Sequence, residues 1–501
     1  MSKGELLDSG PRDYHPGVRA PWLVLALLGG CGADLAVPCV SPEEARAPML
    51  ARPGPSSGRI AAENAREGSE GWQIDRPTEA GGVEGYADRP SVLPGEALRL
   101  FVRTASAPRF TVEVWRMGWY GGRGGRRVLE PMTFDARPQP APEVDPDSDM
   151  VSCAWSNSAT ITAGTDWVSG VYLVKLTALP YGTQRYVPFV VRDDQAQGAV
   201  VFQTSLATYL AYNDWGGRST YGQHPARKAS MDRPFTRGNG AGDFLAYELP
   251  TLRFLEREGL PLTYVTSLDV YRRGDFLLGQ RAFLSVGHDE YWSLEVREAL
   301  EAARSRGVHL GFFGANIGYW SVRYEANRAG APDRVMVAYK ESAARRDPFA
   351  LEPRKVSRST GRWRDEPINR PESALIGVEY QLGIWGFDTD WIAEDERHWM
   401  LEGTGLRHGS VLRGLVGGEG DQRERDAPAC VALLGGAEVT TDRGRHGRSE
   451  STIYVAESGS WVFAWGSYNL GLGLDPLEKP DARTSEQAQL IVSNYFARVY
   501  R

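Results

Sequence analysis

The sequence predicts two ordered domains, an all-β domain followed by an α/β domain. Two observations predict this order. Short strands of alternating hydrophobicity occupy residues 86–194, and from residue 195 onward uniformly apolar strands alternate with amphipathic helices. A chain of 501 residues with 42% hydrophobic content is long enough for about two or three well-filled cores.

The charge distribution argues against a nucleic-acid partner. The formal net charge is -7, and residues of both signs are scattered along the chain. A protein that binds nucleic acid concentrates Lys and Arg on one face. Charge alone indicates no other class of partner.

Residues 1–31 predict a signal peptide that ends in a lipidation site. The apolar run Trp22–Gly30 is too short to cross a bilayer but suits the core of a signal peptide. The sequence Leu28-Gly29-Gly30-Cys31 has the small-residue pattern of a bacterial lipobox, in which the cysteine is lipidated. We therefore expect an exported protein, secreted or held at the cell envelope, whose only membrane attachment is a lipid on Cys31. A buried apolar segment is the alternative.

Residues 32–85 predict a disordered linker, because they are rich in Ala, Pro, Gly and Glu and show little apolar periodicity. The chain contains no C-x-x-C pair, so we expect no thiolate metal site. Whether Cys153 and Cys430 form a disulfide depends on the distance between them, which the sequence leaves open.

Residues 86–194 predict a β-sandwich. Runs such as Phe110–Trp115 and Gly170–Leu176 alternate between apolar and polar residues and are separated by Gly and Pro. No segment among them has the length and amphipathic pattern of a helix. About one hundred residues of this kind indicate a sandwich of immunoglobulin-like build.

Residues 195–501 predict an α/β domain with a parallel sheet. Strands that are apolar on both faces and alternate with helices form a parallel sheet covered on both sides. Ligands of such sheets bind beyond the carboxyl ends of the strands. His288 and Asn316 each follow a strand closely, so we expect them at the same edge. The sheet resembles glutamine-amidotransferase-like domains, but the nucleophilic cysteine expected after the relevant strand is missing. His288 occupies the position where that cysteine would be expected. The predicted strands are 198–204, 262–265, 281–287, 308–313 and 460–466, and the predicted helices are 245–259, 294–306 and 485–500.

Three titratable residues, His288, Asp289 and Glu290, lie where the chain turns from strand to helix. A carboxylate at this position suits a metal ligand, a general base, or a charge that stabilises the helix N-terminus. Two aromatic residues directly after the triplet favour a pocket. Of the three residues, we expect Asp289 to be the helix cap.

Asn316 and Tyr212 are further candidates at this edge. The Asn316 amide, preceded by small residues, is suited to bind a developing oxyanion, although such a residue is more often part of a turn. Tyr212 follows the first strand of the sheet, where a structural tyrosine is the default interpretation. The two predicted domains contain no G-x-S-x-G elbow, no G-x-x-x-x-G-K-[ST] loop and no H-E-x-x-H pair. Acyl chemistry here would therefore use water or a metal.

Five motifs together resemble the large (beta) subunit of N,N-dimethylformamidase and its relatives. The resemblance covers residues 89–501, and its most specific part is the His-Asp-Glu-Tyr-Trp sequence. The five motifs are Ser169–Tyr172, Ala211–Gly217, Gly287–Trp292, Gly314–Trp320 and, more loosely matched, Gly417–Glu419.

The resemblance implies a mononuclear iron centre with Tyr172, Tyr212 and Glu290 as its ligands. Phenolate and carboxylate are hard oxygen donors suited to Fe(III), and three protein ligands leave positions open for water and a substrate carbonyl. Because Tyr172 belongs to the predicted sandwich, the site would lie between the two domains, a common place for a ligand cleft.

The resemblance also implies iron-dependent hydrolysis of the C–N bond of a small amide. Glu419 or His288 would move protons, and Asn316 would orient the substrate. The alternative is a surface-anchored protein that binds carbohydrate or peptide without turnover. The amidase of the family works with a separate small subunit. For this chain the sequence establishes neither that partner nor a homo-oligomer.

Overall fold

A computed structural model describes residues 58–78, 82–441, 444–477 and 481–500. The fold is mixed α/β, and most of its regular structure consists of strands in several sheets. The predicted signal peptide and Cys31 lie outside the described residues. Across the part that the structure describes, no helix has the length and apolar character needed to cross a membrane.

Ordered structure begins within the predicted linker. Residues 58–78 include the short helix α1 (Arg59–Asn64) and pack against the rest of the protein. Ile60 is buried, the Asn64 amide donates to Glu256 Oε2 at 2.6 Å, and Trp72 Nε1 donates to the Arg123 carbonyl at 2.9 Å. The apolar anchors are too widely spaced to produce a periodic pattern, so the sequence did not indicate this order.

Two sheets form the all-β part. They have the strand orders β1-β3-β8 and β2-β10-β9-β4-β5, while β6 and β7 pair separately. The first two sheets share one buried core, as the sequence predicted, and the immunoglobulin-like build stays a prediction. Cys153 is a free, buried thiol, so it is not bridged to Cys430. The strands are β1 (Glu84–Ala87), β2 (Ser91–Val92), β3 (Ala97–Arg103), β4 (Arg109–Met117), β5 (Gly125–Asp135), β6 (Glu143–Val144), β7 (Val151–Ser152), β8 (Ala159–Thr162), β9 (Gly170–Leu179) and β10 (Gln184–Val191).

Strand β9 serves two cores because side chains alternate across a strand. Tyr172 and Val174 point into the core between the two sheets of the all-β part. Val171 and Leu173 point the other way, into a core shared with the α/β part. The direction of Tyr172 therefore follows from its place in this alternation.

The α/β part contains the remaining elements in chain order. They are β11 (Val200–Thr204), α2 (Leu206–Tyr212), β12 (Lys228–Ser230), α3 (Leu249–Arg257), β13 (Leu262–Thr266), α4 (Ser267–Arg272), β14 (Ala282–His288), β15 (Tyr291–Ser293), α5 (Leu294–Ser305), β16 (His309–Ala315), β17 (Trp320–Glu325), β18 (Val335–Val337), β19 (Gly361–Arg362), α6 (Ser373–Ile376), β20 (Glu379–Ala393), β21 (Val411–Gln422), β22 (Ala432–Thr440), β23 (His446–Val455), β24 (Trp461–Ala464), α7 (Leu470–Leu474) and α8 (Glu486–Val499).

The main sheet has nine strands in the order β13-β11-β14-β16-β24-β23-β22-β20-β21. The pairings from β13 to β24 are parallel, as predicted. The pairings from β24 to β21 are antiparallel, so the prediction of a parallel sheet was wrong for this half. The antiparallel strands carry glycines and exposed polar residues, and they lack the uniform apolar character that marked the parallel strands.

Helices cover the parallel half on both faces, as the sequence predicted. Phe283 of β14 packs with Val296 and Leu300 of α5 in one core. Leu284, the next residue of the strand, packs with Leu252 and Leu255 of α3 in the other. A strand buried on both faces has the continuous apolar pattern seen in this segment.

A fully buried ion pair joins the all-β part to the α/β part. The Arg116 guanidinium of β4 donates to the two carboxylate oxygens of Glu256 in α3 at 2.7 and 3.1 Å. Tyr264 also donates to Glu256, at 2.8 Å. Both charged side chains have zero exposure, and removing one partner of such a pair leaves an uncompensated buried charge. The pair therefore holds β4 and α3 in one orientation.

A buried carboxyl lies at the start of α3. Glu248 ends the π-helical turn Phe244–Glu248 and accepts a hydrogen bond from the Ser205 backbone N–H at 2.9 Å. Burial raises the pKa of Glu248 from 4.5 to about 8. The folded protein therefore keeps this proton at neutral pH, whereas the unfolded chain releases it.

This difference predicts that Glu248 destabilises the fold as pH rises. Between pH 4.5 and about 8 the folded state binds the proton and the unfolded state does not, so the free energy of unfolding falls. Glu248→Gln should remove this part of the pH dependence and stabilise the protein at pH 8 by on the order of a few kcal/mol. Urea denaturation at pH 5 and pH 8 measures it, with the exposed Glu402→Gln as control. Equal pH slopes for Glu248→Gln and the wild type would contradict the account.

Candidate functional site

The site forms at the carboxyl ends of the parallel strands. His288 ends β14 and pairs in register with Ala315 of β16, so Asn316 follows at the same edge, as the sequence predicted. Gly287 and Gly314 let the two strand ends approach each other. Gly287 has φ of 68°, and a Cβ on Gly314 would overlap the Gly287 carbonyl oxygen.

Four side chains surround the carboxylate of Glu290. Tyr212 donates its hydroxyl proton to Oε2 at 2.8 Å, and the Tyr221 hydroxyl lies 2.9 Å from both oxygens. Trp320 Nε1 donates to Oε1 at 2.8 Å, and His288 Nε2 lies 3.2 Å from Oε2. Glu290 itself is only 3% exposed. A buried carboxylate needs such partners to offset its lost hydration.

The two phenols belong to one folded segment. Tyr212 ends α2, Tyr221 lies in the following loop, and their rings stack with centroids 4.3 Å apart. The buried Arg233 guanidinium holds this loop by donating to the carbonyls of Asn213 and Trp215 at 2.8 and 2.9 Å. These bonds fix the path of the chain between the two tyrosines.

Tyr172 does not join this cluster. It has zero exposure, its hydroxyl donates to the Val168 carbonyl at 2.7 Å, and its ring stacks on Trp167 at 5.1 Å. It faces the core of the all-β part because of the side-chain alternation on β9. The structure thus brings Tyr221, and not Tyr172, to Glu290, and it places the site in the α/β part instead of between the two parts.

Sequence reasoning missed Tyr221 because the residue lies in an irregular loop without apolar periodicity. The available signal was that Tyr221 closely follows the Tyr212 motif in the sequence.

His288 lies between two carboxyl groups. Its Nε2 is 3.2 Å from Glu290 and 3.9 Å from Glu419. Burial opposes a charge on His288, but its hydrogen bond to Glu290 and the charges of both glutamates raise its pKa above 6.5. Burial likewise opposes ionisation of Glu290, yet the contact with His288 lowers its pKa. Both pKa shifts favour the charged forms of the pair, an imidazolium and a carboxylate.

The pKa of Glu419 is shifted in the opposite direction to that of Glu290. Burial raises its pKa to about 7, and the Tyr468 hydroxyl donates to its Oε2. Strand β21 places Glu419 in the site, and the Tyr468 ring lies 4.8 Å from the His288 ring. Glu419 can therefore take up or release a proton near neutral pH.

Asn316 is held by its backbone and leaves a side-chain atom unused. Its φ is 51°, and its backbone N–H donates to both carboxyl oxygens of Asp421 at 2.8 and 3.0 Å. Burial raises the pKa of Asp421 to about 8. Within the described structure, the buried Oδ1 of Asn316 has no hydrogen-bond partner. An unpaired buried oxygen of this kind is suited to bind a ligand.

Lys340 is a site residue for which the sequence carried no signal. It follows β18, and its Nζ donates to the Tyr291 hydroxyl at 2.7 Å. Tyr291 in turn donates to the Tyr221 hydroxyl at 2.6 Å. The Lys340 Nζ also lies 3.1 Å from the centroid of the Tyr221 ring, and burial lowers its pKa to about 7.

Asp289 is not the helix cap that the sequence predicted. Ser293 caps α5, because its Oγ accepts a first-turn backbone N–H at 3.3 Å. The fully buried Asp289 accepts hydrogen bonds from Ser285 and Gln203 at 2.8 Å and from Trp292 at 2.9 Å. Its role is to anchor the segment behind Glu290.

The site contains donors of the kind that hard cations prefer. Among the described residues, no group of three His, Cys, Asp or Glu side chains is arranged to hold a metal. The convergent donors are instead two phenols and one carboxylate, from Tyr212, Tyr221 and Glu290. Burial and the Glu290 charge raise the pKa of both phenols, so a bound cation would have to displace their protons. This all-oxygen set fits Fe(III).

Comparison with known proteins identifies the family. No curated protein matches the chain. The family described as "N,N-dimethylformamidase beta subunit-like, C-terminal" matches residues 111–484, which is more than half of the chain. The matched region includes the residues of the site described above. The chain therefore belongs to the N,N-dimethylformamidase beta subunit-like family.

Proposed function

We propose that the protein hydrolyses the C–N bond of a small amide at a mononuclear iron held by Tyr212, Tyr221 and Glu290. The observation that carries the proposal is the convergence of both phenol hydroxyls on one buried carboxylate, at 2.8 to 2.9 Å. Membership of a family named for an amidase supports amide hydrolysis.

Bound Fe(III) would supply a Lewis acid for the amide carbonyl. Three side chains of the protein provide the oxygen donors that would bind this iron. Glu290 is already ionised, and Tyr212 and Tyr221 would release their protons on binding the cation. The stacked rings and the hydrogen bond from Trp320 to Glu290 keep the three donors in position.

Glu419 and His288 handle protons in this proposal. Glu419 has a pKa of about 7 and accepts the proton of the attacking water. The same proton then passes to the amide nitrogen as the C–N bond breaks, so the products are a carboxylic acid and an amine. The positive charge of His288 stabilises the ionised form of Glu419.

Asn316 orients the substrate. Its Oδ1 lacks a partner in the described structure, while Asp421 fixes its backbone. The side-chain amide can therefore hydrogen-bond the amide group of the substrate without first breaking a bond of its own at Oδ1.

Export also belongs to the proposal. A lipid on Cys31 would hold the protein at the cell envelope, and secretion is the other form of export.

The ligand set predicts the outcome of a tyrosine series. Tyr212→Phe and Tyr221→Phe should each lose most of the iron, from about one atom per chain, together with the phenolate-to-iron absorption band. Tyr172→Phe should keep both, because the Tyr172 hydroxyl donates to the Val168 carbonyl and lies in a core away from Glu290. Elemental analysis and visible spectroscopy of the purified variants measure this. Loss of iron in Tyr172→Phe with retention in Tyr221→Phe would refute the assignment.

The proton role of Glu419 predicts a separate effect on turnover. Glu419→Gln should lower kcat for formamide hydrolysis by about 10²- to 10⁴-fold, because an amide cannot accept the proton of water. Iron content should be unchanged. Release of ammonia measures the rate, and the exposed His408→Asn serves as control. A Glu419→Gln variant with wild-type kcat would exclude Glu419 as the base.

A further inference from the structure

Strand β20 carries an aromatic bulge beside the site. Residues 385–387 are three extra residues relative to the facing strand β21. Gly386 has φ of 86°, which lets the chain turn outward and back. Trp385 is 43% exposed and Phe387 is 37% exposed. The bulge thus holds two large rings partly in water.

The base of this bulge is anchored. Asp388 accepts hydrogen bonds from Asn469 at 2.9 Å and from Arg483 at 2.8 Å. On the other side, the Trp385 indole lies over Gly383, where a Cβ would come within 2.8 Å of the ring. The two rings are therefore presented by a fixed support.

The bulge adjoins the proton-handling groups of the site. The Trp385 ring packs edge-on against Tyr468 with centroids 5.9 Å apart, and Tyr468 donates to Glu419. Gly383, beneath the indole, is the ladder partner of Glu419. In the proposed reaction Glu419 delivers a proton to the amide nitrogen, so a substituent on that nitrogen would point toward Trp385.

Two cationic side chains on the Tyr212 and Tyr291 side of the site, Arg237 and Lys340, already have partners. The Arg237 guanidinium contacts Asp243 at 3.0 Å and lies 5.0 Å from the Tyr212 ring centroid, and Lys340 donates to Tyr291. On the bulge side, the Tyr468 and Trp385 rings pack against each other next to Glu419. Exposed apolar surface next to a polar reaction centre is typical of a ligand-binding site.

We propose that residues 385–387 form a specificity lip that binds an apolar, aryl-sized substituent on the nitrogen of the substrate amide. This inference rests on the proposed function. It names secondary amides with an aromatic or comparably large apolar N-substituent as the preferred substrate class. Formamide itself, which lacks such a substituent, cannot reach the lip.

Steady-state kinetics with formamide and formanilide test the lip, using full-length, iron-loaded protein. Trp385→Ala and Phe387→Ala should each raise KM for formanilide by about 10- to 100-fold relative to KM for formamide. Trp385→Phe should retain most of the affinity. The matched control is Ile392→Ala, because Ile392 is 39% exposed on the same strand, outside the bulge. Unchanged formanilide KM in both alanine variants, or equal changes for both amides, would overturn the proposal.

A different result separates the lip from the proposed function. If the wild type hydrolyses neither amide, the proposed function fails, and equilibrium dialysis with formanilide then tests the lip alone. Binding that is about 10-fold weaker in Trp385→Ala than in the wild type and in Ile392→Ala would support the lip. Equal binding in all three proteins, or no binding, would overturn it.

Discussion

The site depends on one buried carboxylate. Glu290 is nearly inaccessible to water and accepts hydrogen bonds from two phenols, an indole and an imidazole. A charge in such a place is stable only when partners replace its hydration, so the positions of these four side chains are fixed together. The remaining features of the site follow from this requirement: Arg233 shapes the loop that carries the phenols, and Asp289 anchors the segment behind the carboxylate.

The main sheet supplies the other half of the site from its antiparallel strands. Parallel strands β14 and β16 bring Glu290 and Asn316 to one edge. The distant edge strand β21 returns to this edge, where Gly420 bridges to Ser467 and the Asp421 carboxyl accepts the Asn316 backbone N–H. This return brings Glu419 within 3.9 Å of His288.

The sequence predicted the features that repeat along the chain and missed those set by tertiary contact. Periodicity located the parallel strands, α5 and α8, and the rule for strand ends placed His288 and Asn316 correctly. The family resemblance implied Tyr172 as a ligand, whereas the position of Tyr172 on β9 turns its side chain into the core of the all-β part. Tyr221 and Lys340 lie in irregular segments, where only the folded chain shows what they contact. Ser293, and not Asp289, caps α5, because the Asp289 carboxylate accepts hydrogen bonds from three other buried side chains.

The central claim is that Tyr212, Tyr221 and Glu290 together hold one iron. A crystal structure of the iron-loaded protein, with anomalous diffraction recorded on both sides of the iron absorption edge, tests it most directly. The account predicts one strong anomalous peak bonded to the two phenolic oxygens and the Glu290 carboxylate, with Tyr172 still bonded to the Val168 carbonyl. An iron peak bonded to Tyr172, or iron bound away from Glu290, would contradict the account.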